Sequence, residues 1–325
     1  MEQRALGTSG LRVGRLALGT MTWGRDTDEH EAREQVEALL AAGGNLIDTA
    51  DVYADGAAER LLGRLLAEEN RRDSVVLATK AVSRPGSERR FDASRKHLLD
   101  SLDGSLRRLG VECVDLWQLH AWDPWTPIEE TLAAIDVAVS SGKVRYVGVS
   151  NYAGWQVAYA ATLSQAAHQL PIVASQSEYS LLQRGIEREV VPACQHLGLG
   201  VLPWSPLGRG VLTGKYRTGT PAESRGANPT FATFVQPYLG DSSRRVVDAV
   251  CTAAQGLDVQ PLEVALAWVR DQPGVVAPIL GARTAAQLTT ALAADSVEIP
   301  IAVRDALDDV SSPERGYPEF GWNQR

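Results

Sequence analysis

The sequence predicts a (β/α)8 barrel of the TIM type, preceded by a short β-hairpin and followed by extra C-terminal helices. Three observations predict it. Eight short apolar runs each lead through a loop into a segment of helical periodicity. The runs are nearly continuous, as in parallel strands buried on both faces. The chain has 325 residues, a length that one such barrel with insertions occupies.

Taken in order, "RALGTSGLRV" reads as the hairpin, with its turn at "LGTSGL". The first barrel run is "RLALGT" (15–20), and a helix follows over about 30–42. "NLIDTAD" (45–51) leads to the helix "AAERLLGRLLAEEN". "VVLATK" (75–80) leads to a long helix over 92–110, where Leu98, Leu99, Leu102, Leu106 and Leu109 recur at helical spacing. "VDLWQLH" precedes the helix 127–142, with Pro127 suited to a first helical turn. "VRYVGVSN" precedes a helix around Trp155–His168, and "IVASQSEY" precedes "IEREVVPACQHLG". "GVLPWSPLG" runs into an irregular insertion from 209 to about 241 and then two helices. "GVVAPILGA" precedes "TAAQLTTALAAD", and a last helix over about 303–310 and a tail close the chain. The rival, a doubly wound open sheet, lacks its phosphate-binding signature: no G-x-G-x-x-G follows the first strand, and "LGTMTWG" has the wrong spacing. One domain over 1–325 is the expectation.

Composition narrows the function classes. Hydrophobic residues make up 44% and charged residues 22%, as in ordinary globular proteins. The net charge of −8 argues against a nucleic-acid surface. The opening "MEQRALGTSG" has no apolar core of a signal peptide, and no apolar run approaches the ~20 residues of a membrane helix. Cys113, Cys194 and Cys251 read as reduced thiols of a cytoplasmic protein, and the five histidines show no metal-ligand spacing, so no metal is expected.

In such a barrel the chemistry sits at the C-terminal strand ends. There the sequence puts Asp48, Asp51 and Tyr53, then Lys80, then His120, then Ser150 and Asn151. Gln176, Glu178 and Tyr179 lie in the sixth strand, Trp204 and Ser205 follow the seventh, and Gly281 and Arg283 follow the eighth. Taken singly, each has an ordinary explanation: a loop cap for Asp48, a loop aromatic for Tyr53, a satisfied core histidine for His120. A lysine ending an apolar strand needs a carboxylate partner, and Asp48 on the adjacent strand could supply it. The set permits proton donation. A phenol of pKa about 10 is a poor acid, and a neighbouring ammonium favours its phenolate. Tyr53 could then protonate a developing alkoxide while His120 orients the carbonyl oxygen. Hydride has to come from a nicotinamide or flavin, because no side chain delivers it.

In these residues and the segments around them, the chain resembles the aldo-keto reductases over nearly its full length. The resemblance is carried by "LGTMTWG", "NLIDTADVYADGAAERLLG", "LATK", "DLWQLH", "RYVGVSN", "SQSEYSLL", "PWSPLGRGVLTGKY" and "LGARTAAQL". It is nearest the subgroup that includes potassium-channel β subunits and bacterial aldo-keto reductases. It implies NADPH bound without a Rossmann fold, and a catalytic tetrad on Asp48, Tyr53, Lys80 and His120. It implies cofactor contacts from Gly19, Thr20, Met21 and Asp48, with Ser150, Asn151 and Gln176 on the nicotinamide carboxamide. Trp204 would stack on the nicotinamide ring. The loop Ser205, Pro206, Leu207, Gly208 and Gly210 would wrap the pyrophosphate with backbone N–H groups. Lys215 and Arg225 match cationic contacts, and Gly281, Arg283 and Gln287 the adenine-ribose end, where Arg283 would meet a 2′-phosphate. Relatives often carry Glu-Asn where this chain has Thr290 and Ala291. Channel β subunits often have Asn where this chain has His120, which favours a working enzyme.

The implied reaction is NADPH-dependent reduction of aldehydes or ketones to alcohols. Two alternatives stand beside it: an NADPH-binding redox-sensing module with little turnover, and a Schiff-base lyase using Lys80. On the substrate side the expected residues are Trp23, Tyr53, His120 and Trp122, with Trp125 and the tail "GYPEFGWNQR" as further walls. The expected partner is a small carbonyl compound, with no nucleic acid and no membrane.

Overall fold

A computed structural model of the chain describes residues 1–167, 170–222, 224–314 and 316–317, with backbone alone at 225 and 229–231. Strands β1 (Gln3–Ala5) and β2 (Arg12–Gly14) form the expected antiparallel hairpin. Its turn packs under the barrel. Gly7 has φ +60°, and a Cβ there would lie 2.4 Å from the Gly198 carbonyl oxygen.

Eight parallel strands follow: β3 (Ala17–Gly19), β4 (Leu46–Asp48), β5 (Val76–Ala81), β6 (Val114–Leu119), β7 (Val144–Ser150), β8 (Ile172–Glu178), β9 (Gly200–Trp204) and β10 (Ile279–Leu280). Their order is β10-β3-β4-β5-β6-β7-β8-β9. One parallel bridge closes the ring: Val201 N–H donates to Gly274 O at 2.9 Å, and Val276 N–H donates to Val201 O at 2.9 Å. The last strand is only two residues long because Pro278, inside the expected run 274–282, has no N–H for a ladder.

Helices α1 (Glu29–Ala41), α2 (Ala57–Glu68), α3 (Arg95–Leu109), α4 (Ile128–Ser140), α5 (Gly154–Ala166) and α6 (Val190–Leu197) follow β3 to β8. After β9, the insertion expected to be irregular contains helix α7 (Pro229–Val235) between 3-10 turns; α8 (Asp241–Leu257) and α9 (Pro261–Arg270) complete the return to β10. Helices α10 (Ala285–Leu292) and α11 (Ile301–Val310) come last, α11 starting two residues before the expected 303. Pro127 stands at the N-cap of α4, one residue before the expected first turn. None of the described helices is long and apolar enough to cross a membrane.

Strand alternation sets up the site. Inside the barrel, Leu46, Val76, Ala78, Leu116 and Ala174 pack with Leu6 and Val13 of the hairpin. Side chains two residues further along a strand face the same way. Above Leu46 that residue is Asp48, above Ala78 it is Lys80, above Leu116 it is Gln118, and above Ala174 it is Gln176. The apolar interior therefore ends in a polar layer at the C-terminal end of the barrel.

Candidate active site

In that layer, the Lys80 Nζ donates to Asp48 Oδ2 at 2.6 Å, to the Thr49 carbonyl oxygen at 2.8 Å and to the Tyr53 hydroxyl oxygen at 3.3 Å. Lys80 is fully buried and Asp48 nearly so. The other Asp48 oxygen accepts from Gln118 Nε2 at 3.0 Å and from Gln176 Nε2 at 2.9 Å. Burial alone would lower the Lys80 pKa, but Asp48 and Tyr53 together hold it above the usual lysine value, so the ammonium is kept. His120 stands edge-on to Tyr53, with ring centroids 6.1 Å apart. Burial, and then the charge of Lys80, push its imidazole down to about 3, so it is neutral at physiological pH.

The Tyr53 phenol departs from expectation. Burial pushes its pKa up, Lys80 pulls it down and Asp48 pushes it up again; the outcome lies above the ordinary value. The ammonium acts with the expected sign, but burial is the larger influence. Tyr53 is therefore firmly protonated in the resting site.

Tyr53 is set by an unusual turn. In the 3-10 turn Tyr53–Gly56, Ala54, Asp55 and Gly56 have φ of 46°, 53° and 79°. A side chain at Gly56 would collide with Arg108, whose Nε donates to Glu59 Oε2 at 2.7 Å. Glu59 also accepts from the Thr79 hydroxyl at 2.6 Å, so α2, α3 and β5 are joined directly beneath the turn. Asp51, just before it, buries an Oδ1 with no hydrogen-bond partner among the described residues. Burial, then Glu59, raise its carboxyl to about 7. Its folded pKa is thus above the unfolded value of 3.8. Between those values the unfolded chain loses its proton while the folded chain keeps it, so stability falls as pH rises, by about 1.4 kcal/mol per pH unit for one full proton. Urea unfolding is expected to find Asp51→Asn more stable than the parent at pH 8 and equal to it near pH 4. A difference independent of pH would contradict the assignment.

The site opens into a cavity of about 830 Å³ at the C-terminal end of the barrel. Among the expected residues, Gly19, Met21, Asp48, Tyr53, His120, Ser150, Asn151, Gln176, Trp204, Ser205, Pro206, Leu207, Gly210, Lys215, Gly281, Arg283 and Gln287 line it. Asn151, at φ 57°, ties three strand ends: its Nδ2 donates to the His120 carbonyl oxygen at 2.9 Å, and its Oδ1 accepts from the Trp204 indole at 3.0 Å. Gln287 Oε1 accepts from the Arg283 backbone N–H at 3.0 Å. Thr290 and Ala291 complete that end.

Several expectations need correction. Trp23 does not reach the cavity: it is fully buried, with its indole N–H on Gln35 Oε1 of α1 at 3.0 Å. Trp122 is also absent from the cavity wall; it packs edge-on against Tyr152 and Trp155. Trp125 is 76% exposed. Thr20 is buried beneath the wall, its hydroxyl on the Asp48 carbonyl oxygen at 3.2 Å. Gly208 does not line the cavity either, and its N–H and that of Gly210 donate within the loop, to Ser205 O and Leu207 O. The Arg225 side chain, His168 and the tail from 318 onward lie outside the described residues.

Other residues of the cavity and of the polar layer went unassigned in the sequence. Gln118 shares the inward alternation that singled out Lys80. Arg209, inside the quoted "SPLGRG", lines the cavity and grips Glu178 with two hydrogen bonds of 2.9 and 2.8 Å. Its guanidinium lies 3.7 Å from the Phe234 ring centroid, which staples α7 to the barrel rim. Ser83, Arg90 and Phe91 of the β5–α3 loop also line the cavity.

Known proteins resemble this sequence over nearly its whole length. The family model described as "Aldo/keto reductase family" matches residues 15–312. An uncharacterized oxidoreductase, YrpG of Bacillus subtilis (strain 168), is 37% identical over 99% of this chain and 100% of its own length. A probable voltage-gated potassium channel subunit beta of Oryza sativa subsp. japonica is 34% identical over 98% of each chain. Its counterpart in Arabidopsis thaliana is 33% identical, again over 98% of each.

Proposed function

The chain belongs to the aldo/keto reductase family, and on that premise we propose that it is an NADPH-dependent oxidoreductase. It reduces aldehydes or ketones to alcohols, with Tyr53 as general acid. One observation carries this reading: the buried Lys80 ammonium lies 3.3 Å from the Tyr53 hydroxyl and 2.6 Å from Asp48, and Tyr53 and Asp48 line a cavity of about 830 Å³.

The donor set fits that cofactor. Arg209, Lys215 and Arg283 give the β9–β10 side of the cavity the cations that phosphates need. Ser150, Asn151 and Gln176 give it amide and hydroxyl groups that suit a carboxamide, and Trp204 gives a flat face. When bound, a reduced nicotinamide supplies hydride to the carbonyl carbon. Everything else falls to this chain. Tyr53 gives its proton to the carbonyl oxygen as negative charge develops there. The phenolate left behind faces the ammonium, which stabilises it at the moment it forms. Asp48 fixes that ammonium, and Gln118 and Gln176 fix Asp48. Neutral His120 can hydrogen-bond the carbonyl oxygen without competing for the proton.

Lys80 is poorly suited to Schiff-base chemistry. Its nitrogen is charged and already donates to three acceptors, whereas an amine nucleophile must be neutral. The likeness to channel subunits favours a second reading, in which NADPH is bound but scarcely turned over. NADPH consumption against a panel of aromatic aldehydes, ketoses and α-dicarbonyls separates the two: turnover of any of them supports the reductase, and tight NADPH binding with no consumption supports the sensor.

Preference for NADPH over NADH is assigned to Arg283, at the start of α10. Arg283→Ala is expected to weaken NADPH binding by about tenfold or more, in line with the 1.5–3 kcal/mol of a charged hydrogen bond, and to change NADH binding little. Quenching of tryptophan fluorescence measures both. Equal losses would show that Arg283 does not read the phosphate.

A further inference from the structure

The residues assigned to the cofactor come mainly from β7 to β10. The other side of the cavity belongs to the loops after β4, β5 and β6, and it carries Tyr53, His120, Ser83, Arg90 and Phe91. The loop after β5 is built rather than loose. Ser83 pairs with Phe91 in an antiparallel bridge, and the Arg84 N–H donates to the Arg90 carbonyl oxygen at 2.8 Å. Val82, a β-branched residue, is held at φ 100° where the loop leaves the strand that carries Lys80, a conformation such residues adopt only under constraint.

Three arginines sit in this loop, and two of them hold it together. Arg84 reaches Asp92 Oδ2 at 3.0 Å, and Arg89 reaches the buried Asp123 at 2.7 Å. Arg90 does neither. Its guanidinium lies over the Phe91 ring at 5.4 Å and lines the cavity, and no carboxylate of the described residues pairs with it. Among the described residues Asp48 is the one carboxylate in the cavity wall, and Lys80 matches it; His120 is neutral. The described residues at the reacting end of the cavity therefore carry a single uncompensated positive charge, that of Arg90.

We propose that Arg90 recognises an anionic group, carboxylate or phosphate, on the carbonyl substrate, while Phe91 packs against its carbon skeleton. The planar fork of a guanidinium binds either oxyanion through two parallel hydrogen bonds. Stacking on Phe91 holds that fork in one plane and lowers the cost of ordering it on binding. The substrate is then a small aldehyde or ketone with its anionic group remote from the carbonyl. This proposal rests on the reductase reading, and its test separates the two.

Matched substrates differing in charge supply the test. For 4-carboxybenzaldehyde against 4-carbamoylbenzaldehyde, and glyceraldehyde 3-phosphate against glyceraldehyde, the quantity read is the ratio of kcat/KM, anionic over neutral. The ratio is expected to be about tenfold or more for at least one pair, equivalent to about 1.4 kcal/mol. The pair showing it identifies carboxylate or phosphate. Arg90→Gln is expected to bring that ratio to about one, and Arg90→Lys to restore part of it. A ratio near one in the parent, or a ratio untouched by Arg90→Gln, would overturn the proposal. Should no carbonyl be turned over, the reductase reading fails, but Arg90 is still tested by calorimetric titration with terephthalate and phenyl phosphate. Binding of either that Arg90→Gln abolishes supports the assignment; equal binding, or none in the parent, overturns it.

Discussion

Replacing Tyr53 by Phe is expected to lower kcat by about 10²–10⁴-fold, the contribution of one positioned acid, with NADPH binding nearly unchanged. The substitution removes one oxygen. It keeps the ring that stands edge-on to His120 and the left-handed turn that follows. Among the described residues no other group is placed to replace the lost proton donor. Lys80 is engaged by Asp48 and the Thr49 carbonyl oxygen, and the His120 imidazole is neutral down to about pH 3. Steady-state NADPH oxidation with a good aldehyde measures the loss, and fluorescence quenching checks the binding. A Phe variant that turned over at the parental rate would remove Tyr53 from the mechanism.

The second large effect is expected from Lys80→Met. It removes the ammonium that stabilises the phenolate, so turnover should fall at least as far as in Tyr53→Phe. It also leaves the Asp48 carboxylate buried with only the amide groups of Gln118 and Gln176 as donors. Breaking a buried pair in this way costs about 3–5 kcal/mol, which urea unfolding would register. Adding Asp48→Asn should recover part of that stability without recovering activity, because it removes the stranded charge. The pH dependence has a definite sign. The Lys80 pKa is raised on folding, so its stabilisation is present below its unfolded pKa of 10.5 and is lost as pH rises through the folded value.

The barrel and the polar cluster at its strand ends were legible because both follow from alternation along buried strands; the tetrad as a set came only from the resemblance to the aldo-keto reductases. A polar residue at the end of an apolar strand has to find a partner, and Asp48, Lys80 and His120 stood at such ends. Gln118 obeys the same alternation but lies inside its strand, where an amide reads as filler. Arg209 and Glu178 are 31 residues apart, and nothing local in either segment announces the pair. Trp23 was expected in the substrate pocket because it follows a strand end; the chain turns it inward onto Gln35, and loop direction depends on packing that a linear pattern does not carry. Helix α7 was missed because seven residues among glycines and prolines are too short to show a period. The acidity of Tyr53 came out with the opposite sign for a similar reason: its neighbours could be named, but the weight of burial against one ammonium is a property of the folded site.

In a structure of the chain with NADP+ and a bound ketone or its alcohol product, the substrate oxygen is expected about 2.6–3.2 Å from the Tyr53 hydroxyl, with the Lys80 nitrogen behind that hydroxyl and in contact with Asp48. A substrate oxygen held by Lys80 or by water, with the Tyr53 hydroxyl turned elsewhere, would contradict the role of Tyr53 as general acid.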